Sequence, residues 1–274
     1  MNRNIEIICI GNELLIGKVL NTNAHWLAKR ATSLGMVVRR MTVAGDEISE
    51  IVNVIQDALR RKPRFIITTG GLGPTFDDKT LEGIAKALSR KWEINQKALG
   101  MVKEKYEAFV REGRMDKVDL TLPRVKMAKL PEGTEPVPNP VGTAPAMMVK
   151  IGSTVLIALP GVPSEMIAIF DESIAPLLRK VAGKSKFCEQ SVFAEGIMES
   201  RIAPLIDQVM HANLQVYIKS HPHHEERKPG LELHFSTTAE TLKIGAGRID
   251  KAVAQISELV EQHGGKVESL RNIR

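Results

Sequence analysis

Thr68-Thr69-Gly70-Gly71-Leu72-Gly73-Pro74-Thr75-Phe76-Asp77-Asp78 separates two patterned stretches of the chain. Before it, Phe65-Ile66-Ile67 is a short apolar run that predicts a buried strand. After it, residues 79–88 carry an apolar stripe at helical spacing. Three glycines between a strand end and a helix start let the backbone approach a ligand closely. The first N–H groups of the helix carry positive partial charge, so the place suits a phosphate. Asp77 and Asp78 add hard oxygen ligands of the kind Mg²⁺ uses when it bridges phosphates. The competing reading is a Gly-rich turn with an Asp cap.

Upstream, Ile5–Ile10 is an apolar strand that ends in Gly11-Asn12-Glu13. The following Leu14-Leu15-Ile16-Gly17-Lys18 fails as a phosphate loop. Five residues separate Gly11 from Gly17 where the motif has four, and Val19 stands where Mg²⁺ chemistry needs Ser or Thr. Asn21-Thr22-Asn23 caps a helix that Gly35 stops, residues 36–43 form a second strand, and Gly45-Asp46 follows it. Residues 48–61 repeat apolar side chains at helical period. This β-α-β-α-β rhythm of apolar strands predicts an α/β fold, a mostly parallel sheet with helices on both faces. Ligands in such sheets bind beyond the carboxyl ends of the strands. Glu13, Asp46 and Asp78 each lie just past a strand end, so three strands are expected to deliver three carboxylates to one edge.

Downstream come a polar helix over 95–111 and a loop or helical lid over 112–122. A second Gly/Pro-rich loop, Pro136–Pro145, precedes strands over 146–150 and 155–159 that turn at Gly152-Ser153. Pro160-Gly161-Val162-Pro163-Ser164-Glu165 then opens a helix. Composition shifts to Gly and Lys within 176–186, which divides the chain into an α/β domain, 1–178, and a small α+β domain, 179–274. In the second domain the loop 220–230 holds His221, His223, His224, Glu225 and Glu226 without a usual zinc spacing, so it reads as a hairpin tip.

The 274 residues are 43% hydrophobic and carry a net charge of +6, which supports an ample core and favours anionic partners. No run of eighteen apolar residues occurs, so neither a membrane span nor a signal peptide is expected. Cys9 and Cys188 lie far apart and read as buried thiols, which fits a cytoplasmic protein. At 4% aromatic residues and without a Gly-x-x-Gly clamp in the second domain, nucleic acid is not an expected partner.

The first domain resembles the molybdopterin-binding MoaB/MogA fold, and more closely the amino-terminal region of CinA-type proteins. The resemblance rests on Gly11–Gly17, Asn21-Thr22-Asn23, Gly45-Asp46, the Thr68–Asp78 loop, Asn139–Pro145 and Leu159–Pro163. The remainder is similar to the family's KH-like middle module. The resemblance implies that the Thr-Gly-Gly loop binds an adenylate or pterin phosphate, with Asp78 as the Mg²⁺-supporting Asp and Thr80 two places on. Asp77 stands where the MogA pattern has Arg, which sets this chain beside CinA and away from MogA. The implied activity is metal-dependent hydrolysis of an ADP-ribose-type pyrophosphate to AMP. Nucleotidyl transfer to molybdopterin and a non-enzymatic nucleotide sensor remain as alternatives.

The expected catalytic residues are Asp78, Asp46 and Glu13, with a divalent metal (Mg²⁺, or Co²⁺ or Mn²⁺) on Asp78, Asp77 and Asp46. Thr69, Gly70, Gly71, Gly73, Thr80, Asn139, Gly142, Thr143, Pro160 and Gly161 are expected to hold the nucleotide. The resemblance also implies a homo-oligomer, a dimer by preference. The carboxy-terminal deamidase domain of longer CinA proteins is not matched, so deamidase activity is not expected.

Overall fold

The computed structural model describes residues 2–223 and 230–270, which form two compact units: 2–32 with 36–181, and 33–35 with 182–270. The first unit contains, in order, β1 (Asn4–Ile10), α1 (Asn12–Leu15), α2 (Thr22–Ser33), β2 (Val37–Ala44), α3 (Ile48–Arg60) and β3 (Phe65–Thr69). It continues through α4 (Thr80–Ala87), β4 (Trp92–Ile94), α5 (Gln96–Arg111), α6 (Leu122–Lys126), β5 (Lys129–Pro131) and β6 (Glu135–Val137). It ends with β7 (Ala146–Ile151), β8 (Thr154–Leu159), α7 (Pro163–Ile169), a π-turn at Phe170–Ile174, and α8 (Ala175–Ala182). Six strands form one sheet in the order β2-β1-β3-β8-β7-β6. The first four run parallel, while β7 and β6 are antiparallel additions. The α/β fold with a mostly parallel sheet is therefore present, and the hairpin turns at Gly152-Ser153 as the residues predict.

All five residues of β3 are buried, because helices cover both faces of the sheet and alternate side chains need an apolar partner on each. Ile8, Ile10, Ile66 and Leu156 face one layer, packing with Ile51, Ile55, Ile84 and Val102 from α3, α4 and α5. On α2 and the π-turn, Trp26 meets Phe170 edge-to-face at 5.3 Å, and Arg30 pairs with Asp171 at 2.8 Å. The helix opened by Pro163 runs as α7 to Ile169 and resumes as α8, with Pro176 in its first turn. Proline lacks the N–H that would continue the ladder, and the chain widens into the π-turn immediately before α8.

One ion pair is set into the sheet. Glu6, 3% exposed on β1, receives two bonds from Arg61, at 2.8 Å from Nε and 2.6 Å from Nη2. The carboxylate in turn raises the Arg61 pKa. The bidentate geometry compensates a charge that would otherwise be buried alone. Arg61→Ala should therefore lower unfolding stability by about 3 kcal/mol, the scale for stranding one member of such a pair. Urea denaturation of the two proteins checks this, and a loss below about 0.5 kcal/mol would rule it out.

The second unit comprises β9 (Lys186–Glu195), α9 (Glu199–Ala212), β10 (Val216–His223), β11 (Gly230–Ala239), α10 (Leu242–Gln262) and β12 (Lys266–Leu270). Its sheet, β10-β11-β9-β12, is antiparallel throughout. This β-α-β-β-α-β order is the ferredoxin-like arrangement, so the KH-like expectation holds only at the level of a small α+β unit. Alternation along β9 and β11 places Val192, Ala194, Leu233 and Phe235 in a core with Ile202, Ile249 and Ile256. The expected histidine-bearing tip falls partly on residues 224–229, outside the described residues. No three His, Cys, Asp or Glu side chains form a metal-binding group among the described residues.

Candidate functional site

Strand register creates the site. Cys9 pairs with Thr69 and Thr69 with Leu159, so β1, β3 and β8 end side by side. Ala44 at the end of β2 pairs with Ile10 and accepts a bond from the Gly11 amide at 3.0 Å. Four strand ends thus release their loops on one edge, where parallel sheets collect ligands. Between the loops lies a cleft of about 350 Å³, lined among others by Glu13, Asp46, Gly71, Asp77, Asp78 and Glu165.

The Gly-rich loop is held from below. Gly70 has φ +107, and a Cβ there would lie 2.1 Å from the Ile10 carbonyl oxygen. Its amide donates to Leu159 O at 3.1 Å. The expectation that Gly70 offers its N–H to a phosphate is therefore corrected, because that donor is already used between strands. The buried Thr80 hydroxyl donates to Gly70 O at 2.8 Å, and the Thr69 hydroxyl to Pro160 O at 2.8 Å. Asn23 adds bonds to Thr69 Oγ1 and Gly161 O at 3.1 and 2.8 Å. Thr69 and Thr80 are thus corrected from ligand contacts to supports of the loop.

At the tip, Asp78 accepts from the Thr75 amide at 2.8 Å and from its hydroxyl at 2.6 Å. Asp77 accepts from the same hydroxyl, which holds its carboxyl below the usual carboxylate range. One hydroxyl has one proton, so two carboxylates converge on a single donor hydrogen. Lys126 on α6 donates to Thr75 O, and the Asp78 and Asp77 charges act on its ammonium. Burial pushes the Lys126 pKa down, against the pull of those carboxylates. Asp77 and Asp78 together offer two hard carboxylate ligands, fewer than a metal cage of protein side chains needs. Among the described residues no three such side chains gather around an ion, so water and ligand phosphates would fill the other positions of any divalent ion held there. Asp46 faces the same cleft, but its Oδ2 accepts from the Asn12 amide at 2.9 Å and so ties β2 to α1. Glu13 folds back over Gly11, whose missing Cβ leaves that room.

The opposite wall is organised by Asn139, which is 4% exposed. Its side chain donates to Ala144 O at 2.9 Å and to Glu165 Oε2 at 2.7 Å. It accepts from the amides of Val141 and Gly142 at 3.1 and 2.7 Å. Gly142 lacks the Cβ that would strike the Glu165 carboxylate at 2.1 Å. Asn139 and Gly142 shape the loop and do not line the cleft, whereas Thr143, Pro160 and Gly161 do. Asn139→Ala should cost about 2 kcal/mol, because it strands the buried Ala144 carbonyl and removes the acceptor that holds the Val141 and Gly142 amides. Chemical denaturation measures the loss, and unchanged stability would remove Asn139 from this role.

Two residues escaped the sequence reading. Glu165 lies in the first turn of α7 and lines the cleft. Its place past the end of β8 obeys the same strand-end rule that singles out Glu13 and Asp46. Lys126 reaches Thr75 across 51 positions, and no local pattern around it signals that.

Residues 6–180 match the family described as probable molybdopterin binding domain. A protein of Pyrobaculum arsenaticum is 44% identical over 94% of this chain and 95% of its own length. One of Sulfurisphaera tokodaii is 43% identical over 96% and 97%. The crystal structure of the protein CinA from Thermoplasma acidophilum, described as of unknown function, is 39% identical and superposes with a TM-score of 0.58. That likeness covers 66% of this chain and 99% of the other. With the Gly-rich loop, the paired aspartates and the aligned strand ends in place, the chain belongs to the probable molybdopterin binding domain family, as a CinA-type member with a MoaB/MogA-like α/β fold.

Proposed function

We propose that the cleft binds a phosphorylated heterocycle of the molybdopterin or nucleotide class and catalyses nucleotidyl transfer to its phosphate. The observation that carries this reading is the convergence of Asp77, Asp78, Gly71, Gly73 and Glu165 in one cleft beyond the strand ends. In this step an oxygen of the pterin phosphate attacks the α-phosphorus of a nucleoside triphosphate. A P–O bond forms, the α–β bridge breaks, and pyrophosphate leaves with the electron pair. The amides of Gly71 and Gly73 contact a phosphate, since the Gly70 amide is engaged. Asp78 and Asp77 would hold a divalent ion, which supplies charge neutralisation on the phosphates when bound. Thr143 and Glu165 face the heterocycle from the opposite wall, where a carboxylate accepts N–H bonds from a pterin or purine edge.

Hydrolysis of an ADP-ribose-type pyrophosphate is a second reading, favoured by one observation: the adjacent carboxylates Asp77 and Asp78 beside a cleft open to water. Water then replaces the phosphate acceptor, and Glu13 is its base. Incubation with ATP, molybdopterin and Mg²⁺ should give an adenylylated pterin and pyrophosphate by chromatography. A parallel incubation with ADP-ribose and Mg²⁺, Mn²⁺ or Co²⁺ looks for AMP. AMP without adenylylated pterin would replace transfer by hydrolysis. Neither product, with nucleotide still bound in equilibrium dialysis, would leave a binding protein.

A further inference from the structure

A larger cavity lies at the other end of the same strands. It has a volume of about 830 Å³, within the range of small-molecule sites. Phe65, the first residue of β3, lines it, whereas the phosphate loop follows Thr69 at the far end of that strand. Four residues of strand put roughly 13 Å between the two ends. The cavity is thus separate from the cleft.

We propose that this cavity binds a small anionic amphiphile, an apolar body carrying a phosphate head. Its floor is apolar, with Phe65, Val155, Leu177 and Val181. Its rim carries Arg64, Arg90, Lys150 and Lys180 against a single lining carboxylate, Glu135. Four cations gathered on one apolar hollow set up a field that selects an anionic head, while the floor removes an apolar body from water.

The arginines are anchored and not merely nearby. Arg64 Nη1 donates to Ser153 O at 2.7 Å, and its guanidinium sits 5.7 Å from the centre of the Phe65 ring. Arg90 Nη1 donates to Glu132 O at 2.9 Å, beside Gly133. A guanidinium has five donors, so one carbonyl bond fixes its direction and leaves a fork for phosphate oxygens. Lys150 and Lys180 are exposed and supply charge at the rim, Lys180 from the last turn of α8. Glu135 on the rim discourages a polyanion and favours one compact head.

Octyl phosphate is the probe, titrated by calorimetry into the full chain below its micellar concentration. It should bind at least tenfold more tightly than inorganic phosphate or octanol, which each satisfy half of the site. Lys150→Gln with Lys180→Gln should weaken it at least tenfold while the protein stays folded, as circular dichroism reads. Ser153→Trp, on an exposed turn, should obstruct the mouth and do the same. Asp78→Ala should bind octyl phosphate as the parent protein does. The proposal is overturned if octanol binds equally well, which would mark an unselective apolar hollow. It is also overturned if folded variants retain full binding, or if Asp78→Ala abolishes it and so places the probe in the cleft. Self-association reversed by the lysine changes, with no octyl phosphate bound, would assign the face to a second copy and end it too.

Discussion

Asp78→Ala should reduce turnover by about 10²–10³-fold, the scale for removing one preorganised electrostatic contact to a reacting phosphate. Asp78 works in two ways that a graded series separates. Its carboxylate accepts from the Thr75 amide and hydroxyl, so it shapes the loop. Its charge, with that of Asp77, is also what an ion between loop and phosphates would need. Asp78→Asn keeps an acceptor for Thr75 and removes the charge. It should therefore melt as the parent does and still lose most of the turnover. Thr75→Ala removes the shared hydroxyl and keeps both charges, and should cost far less activity. Product chromatography with a thermal melt of each variant reads the series. Full activity in Asp78→Asn would leave Asp78 as a loop support and nothing more.

Gly70→Ala should have the largest effect on stability, about 3–5 kcal/mol from backbone strain and overpacking together. The residue sits at φ +107, where an L side chain is strained. The added Cβ would meet the carbonyl oxygen of Ile10 at 2.1 Å. A flexible side chain can swing aside from such a contact, whereas this carbonyl belongs to the end of β1, held beside β2 and β3. The strands would have to part, and the cleft would open with them. Urea unfolding gives the number, and ligand binding by the folded fraction gives the functional loss. A change under about 1 kcal/mol would mean that the loop relaxes freely, contrary to its tethering by Thr80 and Leu159.

The parallel sheet and its loaded edge are legible in the chain because they depend on local pattern. The apolar runs Ile5–Ile10 and Phe65–Ile67 lead into glycine-bearing loops, Gly11 with Glu13 after the first and Gly70-Gly71 with Asp77-Asp78 after the second. Roles within the edge are less legible, since residue type does not say where a lone pair or hydrogen points. Thr69, Thr80 and Asn139 carry ligand-like groups, yet each spends them on a neighbouring backbone. Lys126 arrives from α6, a helix of five residues too short to show a helical period in the sequence. Strands β4, β5 and β6 have three residues each, too few for an alternation to register. Lys266–Leu270 joins the second sheet as β12 through pairing with β9, a long-range fact absent from five mixed residues.

The aligned ends of β1, β3 and β8 also bear on which length changes the chain can accept. One residue inserted within Phe65–Thr69 would turn each following side chain to the opposite face of a sheet buried on both sides. It would also slide the Gly70 turn by roughly 3.3 Å along the Ile10 carbonyl that it now touches. Between α5 and α6, Met115, Val118 and Leu120 pack on the core, but the turn at exposed Gly113 pairs with no strand and has open space around it, so several residues added there would cost little. Divergence by lengthening should therefore be confined to such connections, while β3 can change its side chains but not its count.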